Sequence, residues 1–437
     1  MHMETHTIAV GDRTNHPSRP IHIALQNPNQ TYTTDSIVRG KIRLDPKTRP
    51  SRITVTFIGR TRAAITRRDA STETTYKTKP ILFSNTLELF ASESIRESSE
   101  ILKLGVTIED RVELPFEFRF PERTPKRGVV RTDDQFNHQE GSELPPSFLF
   151  IASSGISLTN GDQQSVEYIL DAKIYNASKA TPSEVVRCHL RFLPPASANT
   201  PDSSAVVRTA HRDSVHQPTN GLWIRTNRLD PAWDPDEGLL DRIKNTFRSK
   251  TNAPFANFNI KAKCPRVLNA EKPVSFSLVL EHLGCSDEIR DLPPIFIRGI
   301  RVRLLSDVSV RVPSHSFFSE SEESETHTDK SILLDDRYEE DDGLLLYDGL
   351  GVTTKPLPAS AVSAFKTYAL GLDHSIEVKL WGECAKEKFE VTPLYGKIFI
   401  VPHRVERMQS GEREEAVAKE MNADAVPPTY QLVDISG

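Results

Sequence analysis

The tetrapeptide Pro427-Pro428-Thr429-Tyr430 is the most specific chemical signal in this chain of 437 residues. Two adjacent prolines hold the backbone near the polyproline II conformation before a partner binds, so little conformational entropy is lost on docking. WW domains bind Pro-rich segments of this kind in a groove lined by aromatic side chains. We therefore predict that Pro427, Pro428 and Tyr430 form a WW-domain-binding motif. A chance occurrence in a proline-rich tail is the alternative interpretation.

A second candidate site consists of basic residues that recur at every other position of two predicted strands. The first strand carries Arg39, Lys41 and Arg43, and the next carries Arg60 and Arg62. Side chains two positions apart on a strand share a face. Each set therefore forms a basic stripe that we expect to contact acidic lipid or an acidic peptide. A solvated sheet face without a ligand is the alternative.

Motifs typical of enzymes and of metal sites are absent from the sequence, which contains no G-x-G-x-x-G, Walker A, H-E-x-x-H or G-x-S-x-G pattern. Cys188, Cys264, Cys285 and Cys384 are widely spaced, so we predict free thiols in a reducing compartment rather than zinc ligands or disulfides. We predict no catalytic residues, no metal and no cofactor. A β-sandwich hydrolase is the least favoured alternative, since triad residues need not be adjacent in sequence.

Length and composition favour two domains rich in β-structure. A chain of 437 residues is long enough for two domains, and its 30 prolines disfavour long helices. The net charge of -5 is modest, and we predict no nucleic-acid partner. The first residues contain no apolar segment typical of a signal peptide, and no run of eighteen apolar residues occurs. We therefore predict a cytoplasmic protein that does not span a membrane.

Alternation of hydrophobic and polar residues predicts seven β-strands in the first two hundred residues. Gly59 lies in the third of them, at a position that suits a bulge or a close approach between strands. Short strands joined by polar turns favour an antiparallel β-sandwich over residues 20–194, after a flexible N-terminus at 1–19. The predicted strands cover residues 21–25, 36–44, 52–61, 80–90, 112–120, 166–175 and 185–193.

Residues 195–254 differ in composition and are predicted to be a linker. The first half is rich in Pro, Ser, Thr and Asn. One short amphipathic helix is predicted at about 235–249, capped by Asp234 and with Leu239 and Phe247 on its apolar face. We expect that face to pack against the edge of a sandwich. Contact with a membrane surface is the alternative.

A second series of alternating segments begins at Phe255 and predicts another antiparallel β-sandwich over residues 255–403. It is interrupted by an acidic, Ser-rich segment at 313–345, which we predict to be a mobile loop. From charge alone, a further alternative to a ligand on the basic stripe is that 319–342 folds back on it as a screen. A flexible, charged tail follows at 404–437. The predicted fold class is therefore all-β, with two consecutive antiparallel β-sandwiches and a C-terminal tail.

Eight segments occur in an order that is typical of one superfamily. Among them, 166–172 (VEYILDA) matches an I-x-Y-x-L-x-A strand pattern, and 36–42 (SIVRGKI), after Asp35, matches D-x-V-x-G-x-V. In these segments the chain resembles the arrestin superfamily, in particular the fungal α-arrestins (arrestin-related trafficking adaptors), over about residues 20–402. The eight segments are 36–42, 55–59, 114–121, 144–148, 166–172, 260–265, 274–280 and 397–401.

The resemblance implies two arrestin-like domains and a non-enzymatic adaptor function. Such an adaptor links a WW-domain ubiquitin ligase of the HECT type to cytosolic segments of membrane transporters or receptors, for ubiquitination and endocytosis. It is cytoplasmic and is recruited peripherally to the plasma membrane or endosomes, where peripheral contact with acidic lipid is expected. The alternative is an arrestin-fold sorting or coat subunit that recruits no ligase.

Overall fold

The computed structural model describes residues 15–401, apart from several internal segments and single positions. Residues 1–14 and 402–437 lie outside the described part of the chain. The internal positions that are not described are 46, 49, 69–71, 92–105, 109–110, 126–135, 137–141, 152–162, 177–180, 196–205, 208–220, 232, 234–252, 290, 317–318, 340–341 and 359–360.

The first half of the chain forms a β-sandwich of a four-stranded and a seven-stranded sheet. The four-stranded sheet has the order β1-β3-β8-β7, and the seven-stranded sheet has the order β2-β11-β10-β4-β5, with β6 on β4 and β9 on β10. The strands are β1 (Ile21–Leu25), β2 (Thr31–Tyr32), β3 (Ile37–Leu44), β4 (Arg52–Arg68), β5 (Glu73–Thr78), β6 (Ile81–Ala91), β7 (Val106–Ile108), β8 (Arg111–Arg119), β9 (Phe148–Ile151), β10 (Gln163–Tyr175) and β11 (Glu184–Phe192).

The second half forms another sandwich of a five-stranded and a seven-stranded sheet. The orders are β12-β14-β16-β20, with β13 on β14, and β15-β23-β22-β17-β18, with β19 on β17 and β21 on β22. The strands are β12 (Val206–Val207), β13 (Leu222–Arg225), β14 (Phe255–Pro265), β15 (Val267–Asn269), β16 (Pro273–Cys285), β17 (Ile295–Ser316), β18 (Ser319–Arg337), β19 (Leu344–Leu345), β20 (Leu350–Pro356), β21 (Phe365–Lys366), β22 (Leu370–Cys384) and β23 (Glu387–Val401).

The two sandwiches repeat one topology, which confirms the predicted fold class and adds an internal symmetry that the sequence analysis did not find. In each, a short strand pairs in parallel with the last strand: β2 with β11, and β15 with β23. All other strand pairs among the described residues are antiparallel, and the one helical element described is a 3₁₀ turn at Asn227–Leu229. A residue with positive φ precedes β3 in the first sandwich and β16 in the second, Asp35 (φ 61°) and Glu271 (φ 63°) respectively.

Gly59 makes the close approach that its position in β4 suggested. A Cβ atom there would lie 2.5 Å from the ring of Phe83 and 3.0 Å from the ring of Tyr168. The pairing of β4 with β6 shifts register between Gly59 and Arg60, which is a bulge. Glycine is therefore required here for space rather than for a special φ.

The acidic segment at 313–345 is not a loop, contrary to the prediction. Most of it forms β18, which pairs with β17 from Ser319 to Arg337 and ends the seven-stranded sheet. Its Glu and Asp side chains meet arginines of neighbouring strands, for example Asp335 with Arg301 at 2.8 Å. Cross-strand ion pairs of this kind compensate for the low strand propensity of acidic residues.

Part of the predicted linker belongs to the second sandwich. Strands β12 and β13 lie within 195–254 and both pair with β14. The helix predicted at about 235–249 lies outside the described residues, as does the tail at 404–437.

The hydrophobic core of the first sandwich continues into the second. Val308, Val310 and Val312 of β17 are fully buried and belong to the same cluster as the core of the first sandwich, together with Leu370 and Leu372 of β22. Strand β17 thus has two parts: its first half packs in the second core, and its second half closes the first. The two sandwiches share a continuous apolar interface, which we call the seam.

Charged groups surround the seam. Arg67 of β4 lies 3.3 Å from Glu323 and 3.5 Å from Glu325 of β18. Arg311 of β17 is buried and donates two hydrogen bonds to the carbonyl oxygen of Tyr368, at 3.0 and 2.8 Å. The acidic strand therefore does meet a basic residue of the first sandwich, but that residue is Arg67 and not the predicted stripe.

We expect Arg67→Glu to weaken the seam, because it places a third carboxylate beside Glu323 and Glu325. The Arg67 side chain is 45% exposed, so solvent screens the interaction and the loss should be about 1 kcal/mol or less. Thermal unfolding of the wild type and of Arg67→Glu measures this loss of stability, and the difference between the two proteins should be smaller at high salt than at low salt.

Lys77→Glu is the matched control, since Lys77 is exposed on the adjacent strand β5 and has no ion pair among the described residues. Combining Arg67→Glu with Glu323→Lys and Glu325→Lys should restore stability. Equal effects of Arg67→Glu and Lys77→Glu would show that the ion pairs do not hold the seam.

His374 of β22 is buried where the two cores meet. Its Nε2 donates to the carbonyl oxygen of Val362 at 2.9 Å, because a carbonyl only accepts, and its Nδ1 accepts from the hydroxyl of Ser306 at 2.9 Å. Burial lowers the pKa of His374 to about 4, against smaller opposing effects of the Val362 hydrogen bond and of the Asp373 and Asp307 carboxylates.

This histidine should destabilise the protein in acid. The pKa of His374 is lower in the folded state than the unfolded value of 6.5. Its contribution to the free energy of unfolding is therefore complete above pH 6.5 and is lost as the pH falls toward 4. The free energy of unfolding should fall by about 1.4 kcal/mol per pH unit in that window. Denaturant unfolding of the wild type and of His374→Gln at a series of pH values measures this pH dependence of the free energy of unfolding. Parallel pH profiles of the two proteins would contradict the assignment.

Candidate functional site: a basic face on the first sandwich

The residues Arg39, Lys41 and Arg43 occupy the outer face of β3, as their spacing requires. Val38 and Ile42, which alternate with these residues along the strand, are fully buried in the core. Strand β3 lies between β1 and β8, so its outer side chains are in the middle of the four-stranded sheet. This position places them within reach of the side chains of β8.

Two carboxylates of β8 pair with these three cations. Arg39 Nε donates to Glu117 at 2.8 Å. Lys41 Nζ and Arg43 Nε both donate to Glu113, at 2.7 and 2.8 Å. The predicted stripe is therefore a mixed ladder of charges, in which two cations share one carboxylate.

Glu113 is the buried centre of this ladder. Its side chain is 3% exposed, whereas those of Lys41 and Arg43 are 51% and 36% exposed. The hydrogen bond from Lys41, followed by that from Arg43, lowers the pKa of Glu113 although burial opposes the shift. The carboxylate thus stays ionised and fixes two long basic side chains on the sheet surface.

Sequence reasoning missed two further cations on this face, Arg111 and Arg119 of β8. Arg111 Nη1 donates to the carbonyl oxygen of Arg19 and contacts Nδ1 of His22, both at 3.1 Å. Burial, followed by the charges of Arg111 and Arg43, lowers the pKa of His22. The signal was present in the sequence, since Arg111 and Arg119 alternate with Glu113 and Glu117, but only pairing with β3 brings them to the stripe.

The face keeps a surplus of positive charge. It carries two glutamates, Glu113 and Glu117, against a larger number of cations, and Asp45 at its edge accepts a hydrogen bond from the backbone N–H of Lys47. Arg119 is exposed and has no ion pair among the described residues. We call this surface the basic face, and it consists of Arg39, Lys41, Arg43, Arg111 and Arg119.

Arg60 and Arg62 lie on the other sheet of the first sandwich. Both belong to β4, and both contact Glu167 of β10, at 2.9 and 3.2 Å. Glu167 is buried, and the Arg60 side chain is 14% exposed. The structure therefore separates these two arginines from the basic face and places them in a partly buried ion-pair cluster around Glu167.

The predicted WW-binding residues Pro427, Pro428 and Tyr430 lie outside the described residues. Within the described part of the chain, no group of three or more His, Cys, Asp or Glu side chains is arranged to hold a metal ion. No described helix has the length and apolar character needed to cross a membrane.

The four cysteines are free. Three of them are buried, and burial raises the pKa of Cys264 to about 12 and that of Cys384 to about 11. These two thiols remain protonated at neutral pH and are poor nucleophiles.

Comparison with known proteins identifies no family: no protein-family model matches the chain, and no curated protein matches it.

Glu113→Gln should destabilise the first sandwich by about 1–3 kcal/mol, because it removes the charge from a buried group that accepts two charge-assisted hydrogen bonds. Glu117→Gln is the matched control. Glu117 and its partner Arg39 are both more than half exposed, so the loss of stability in Glu117→Gln should be below about 1 kcal/mol. Denaturant unfolding measures the free energy of unfolding of both variants. Losses of equal size would contradict the central role of Glu113.

Proposed function

We propose that this protein is a non-enzymatic adaptor that links a WW-domain ubiquitin ligase of the HECT type to the cytosolic segments of membrane transporters or receptors. The sequence Pro427-Pro428-Thr429-Tyr430 carries this proposal. Polyproline segments bind aromatic grooves with a small entropic cost, and a tyrosine two positions on supplies a second anchor.

The adaptor acts by raising effective concentration rather than by chemistry of its own. A ligase held on the tail samples lysines of a cargo protein held on the sandwiches, and the linker length sets how often they meet. The tail is long relative to the motif, because 25 residues separate Val401 from Pro427. Such a tail allows the ligase to reach lysines at different distances from the cargo site.

The basic face supports a role in contacting an acidic cargo segment or the acidic lipid of the inner membrane leaflet. It combines exposed cations such as Arg119 with Lys41 and Arg43, whose orientation is fixed by Glu113. Fixed cations lose less conformational freedom on binding than free ones. The protein would then be cytoplasmic and recruited peripherally to the plasma membrane or endosomes.

The seam supports the same proposal, because an adaptor needs a defined geometry between its binding surfaces. A shared apolar core resists relative motion of the two sandwiches more strongly than a polar interface of equal size. Surfaces on both sandwiches can then bind one cargo protein together.

The test is binding of WW domains to a labelled peptide of residues 421–437. Tyr430→Ala should weaken binding by about tenfold or more, since an aromatic anchor in a pocket contributes about 2 kcal/mol or more. Gln431→Ala is the matched control and should bind as the wild type does. Unchanged binding by the Tyr430→Ala peptide would refute the motif.

The full-length protein distinguishes the adaptor from a coat subunit. Deletion of 425–437 should abolish co-purification of the ligase and leave the membrane-protein partners bound. If the deletion leaves every partner in place, a sorting or coat subunit without ligase recruitment becomes the better account.

A further inference from the structure

An apolar surface is exposed on the outer face of the five-stranded sheet of the second sandwich. Trp223 of β13 is 48% exposed, and Leu283 of β16 is 44% exposed. The ring of Trp223 packs on that of the half-buried Phe255, with 4.7 Å between the ring centroids. We call Trp223, Phe255 and Leu283 the Trp223 patch. Large apolar side chains are often exposed singly, whereas a group of them indicates a surface that another element covers.

A bulge and a glycine bring Leu283 to this patch. The pairing of β14 with β16 shifts register between Asn257 and Phe258, which leaves Leu283 as an extra residue of β16. Gly221, just before β13, has a φ of +86°. A Cβ atom there would lie 2.6 Å from Cδ1 of Leu283 and would collide with Oδ1 of Asn257. Glycine therefore allows β13 to approach Leu283 closely.

Asn257 lies on the same face and lacks a partner. It opposes Trp223 in the pairing of β13 with β14, and it is 8% exposed. Its Oδ1 atom is buried and accepts no hydrogen bond within the described part of the chain. Buried polar atoms of folded proteins are nearly always hydrogen-bonded. The unpaired acceptor therefore indicates that a further element completes this surface.

The chain leaves and re-enters the described structure beside the patch. Thr226, directly after β13, donates its N–H to the carbonyl oxygen of Pro254 at 3.1 Å. Phe255 donates its N–H to Oγ of Ser286 at 2.8 Å. The segment 234–252, which lies outside the described residues, is therefore tethered to this surface at both of its ends.

The side of the patch where the segment begins is basic. Arg225 and Arg228 are exposed there. The guanidinium carbon of Arg228 lies 5.9 Å from the ring centroid of Trp233, the last described residue before the segment. The first half of the segment, 234–241, contains four acidic residues and no basic residue. The charges of this half and of its tether are therefore complementary.

The side of the patch where the chain returns is acidic. Asp287 and Glu288 follow Ser286, are exposed, and have no ion pair among the residues that the structure describes. The second half of the segment, 242–250, contains four basic residues and no acidic residue. Its last residue is five positions before Phe255, and the two Cα atoms are therefore at most about 18 Å apart. The basic half is thus held within reach of the two free carboxylates.

The segment also contains the apolar side chains that could cover the patch. Leu239, Leu240, Ile243 and Phe247 recur at helical spacing within the predicted helix at about 235–249. A helix with one apolar stripe gains most of its stability by packing that stripe against an apolar surface. The Trp223 patch is such a surface, and it lies beside both ends of the segment.

We propose that the segment 234–252 docks on the Trp223 patch, with its apolar stripe against the exposed rings and its basic half beside Asp287 and Glu288. The contact is intramolecular, so the two tethers give it a high effective concentration. It withdraws the apolar stripe from contact with a membrane surface. It does not depend on the adaptor function proposed above.

The test is amide hydrogen exchange of the full-length protein. Trp223→Ser should accelerate exchange in 239–249 by about tenfold or more, because a docked segment opens more often once its apolar partner is lost. Ile332→Ser is the matched control, since Ile332 is 58% exposed on β18. Its exchange in 239–249 should stay within about twofold of the wild type. Equal exchange in all three proteins would overturn the proposal.

Phe247→Ser tests the same contact from the side of the segment and leaves every residue of the patch in place. It should also accelerate exchange in 239–249, and adding Trp223→Ser should change the rate by less than about twofold, because substitutions of two residues in contact are not additive. Independent, multiplying effects of the two substitutions would refute direct contact.

Other occupants of the patch or of the stripe give different results. Flotation with vesicles that contain about 30% phosphatidylserine should be equal for the wild type and Phe247→Ser. Loss of flotation in Phe247→Ser would assign the stripe to a membrane, and a wild-type dimer that Trp223→Ser dissociates in sedimentation would assign the patch to a second copy. Either result would overturn the proposal. None of these readouts contains a WW domain, so failure of the tail motif and failure of this contact are distinguishable.

Discussion

The structure depends on a core that the two sandwiches share. The outer parts of β17 and β22 supply Val308, Val310 and Leu372 to the first sandwich, although both strands belong to the sheet of the second. Removing the first sandwich would leave these side chains in water, at a cost that scales with their apolar area. The stability of each sandwich therefore depends on hydrophobic burial against the other. The two sandwiches resemble each other in topology but are not independent of each other.

The charged residues on the outer faces of the sheets follow from the burial of the inner faces. A sheet that covers a core on one side must present polar side chains on the other, and alternation puts arginines and glutamates at opposite positions of adjacent strands. This rule produces two ion-pair clusters. In one, Glu113 pairs with Lys41 and Arg43. In the other, Glu167 pairs with Arg60 and Arg62. The first carries the more exposed cations and remains a candidate surface, whereas the cations of the second are partly buried.

Much of the fold could be predicted from local patterns. The alternation in 36–44 and 166–175 predicted strands that the structure confirms as β3 and β10. The acidic segment at 319–337 was wrongly predicted as a loop, because its composition disfavours a strand when it is considered alone. It becomes a strand since β17 offers a paired edge and since Arg67, Arg301 and Arg311 lie beside its carboxylates.

The sequence by itself determined the all-β class, the division into two sandwiches, the face that each basic residue of β3 occupies, and the PPxY motif of the tail. All of these follow from a period of two or from adjacent residues, which are local properties. Tertiary structure alone decided the shared core, the partners of each cation, the separation of Arg60 and Arg62 from the basic face, and the place of the acidic segment as the last strand of its sheet. These depend on which strands become neighbours, and strands far apart in sequence are selected by packing over the whole core rather than by any local pattern.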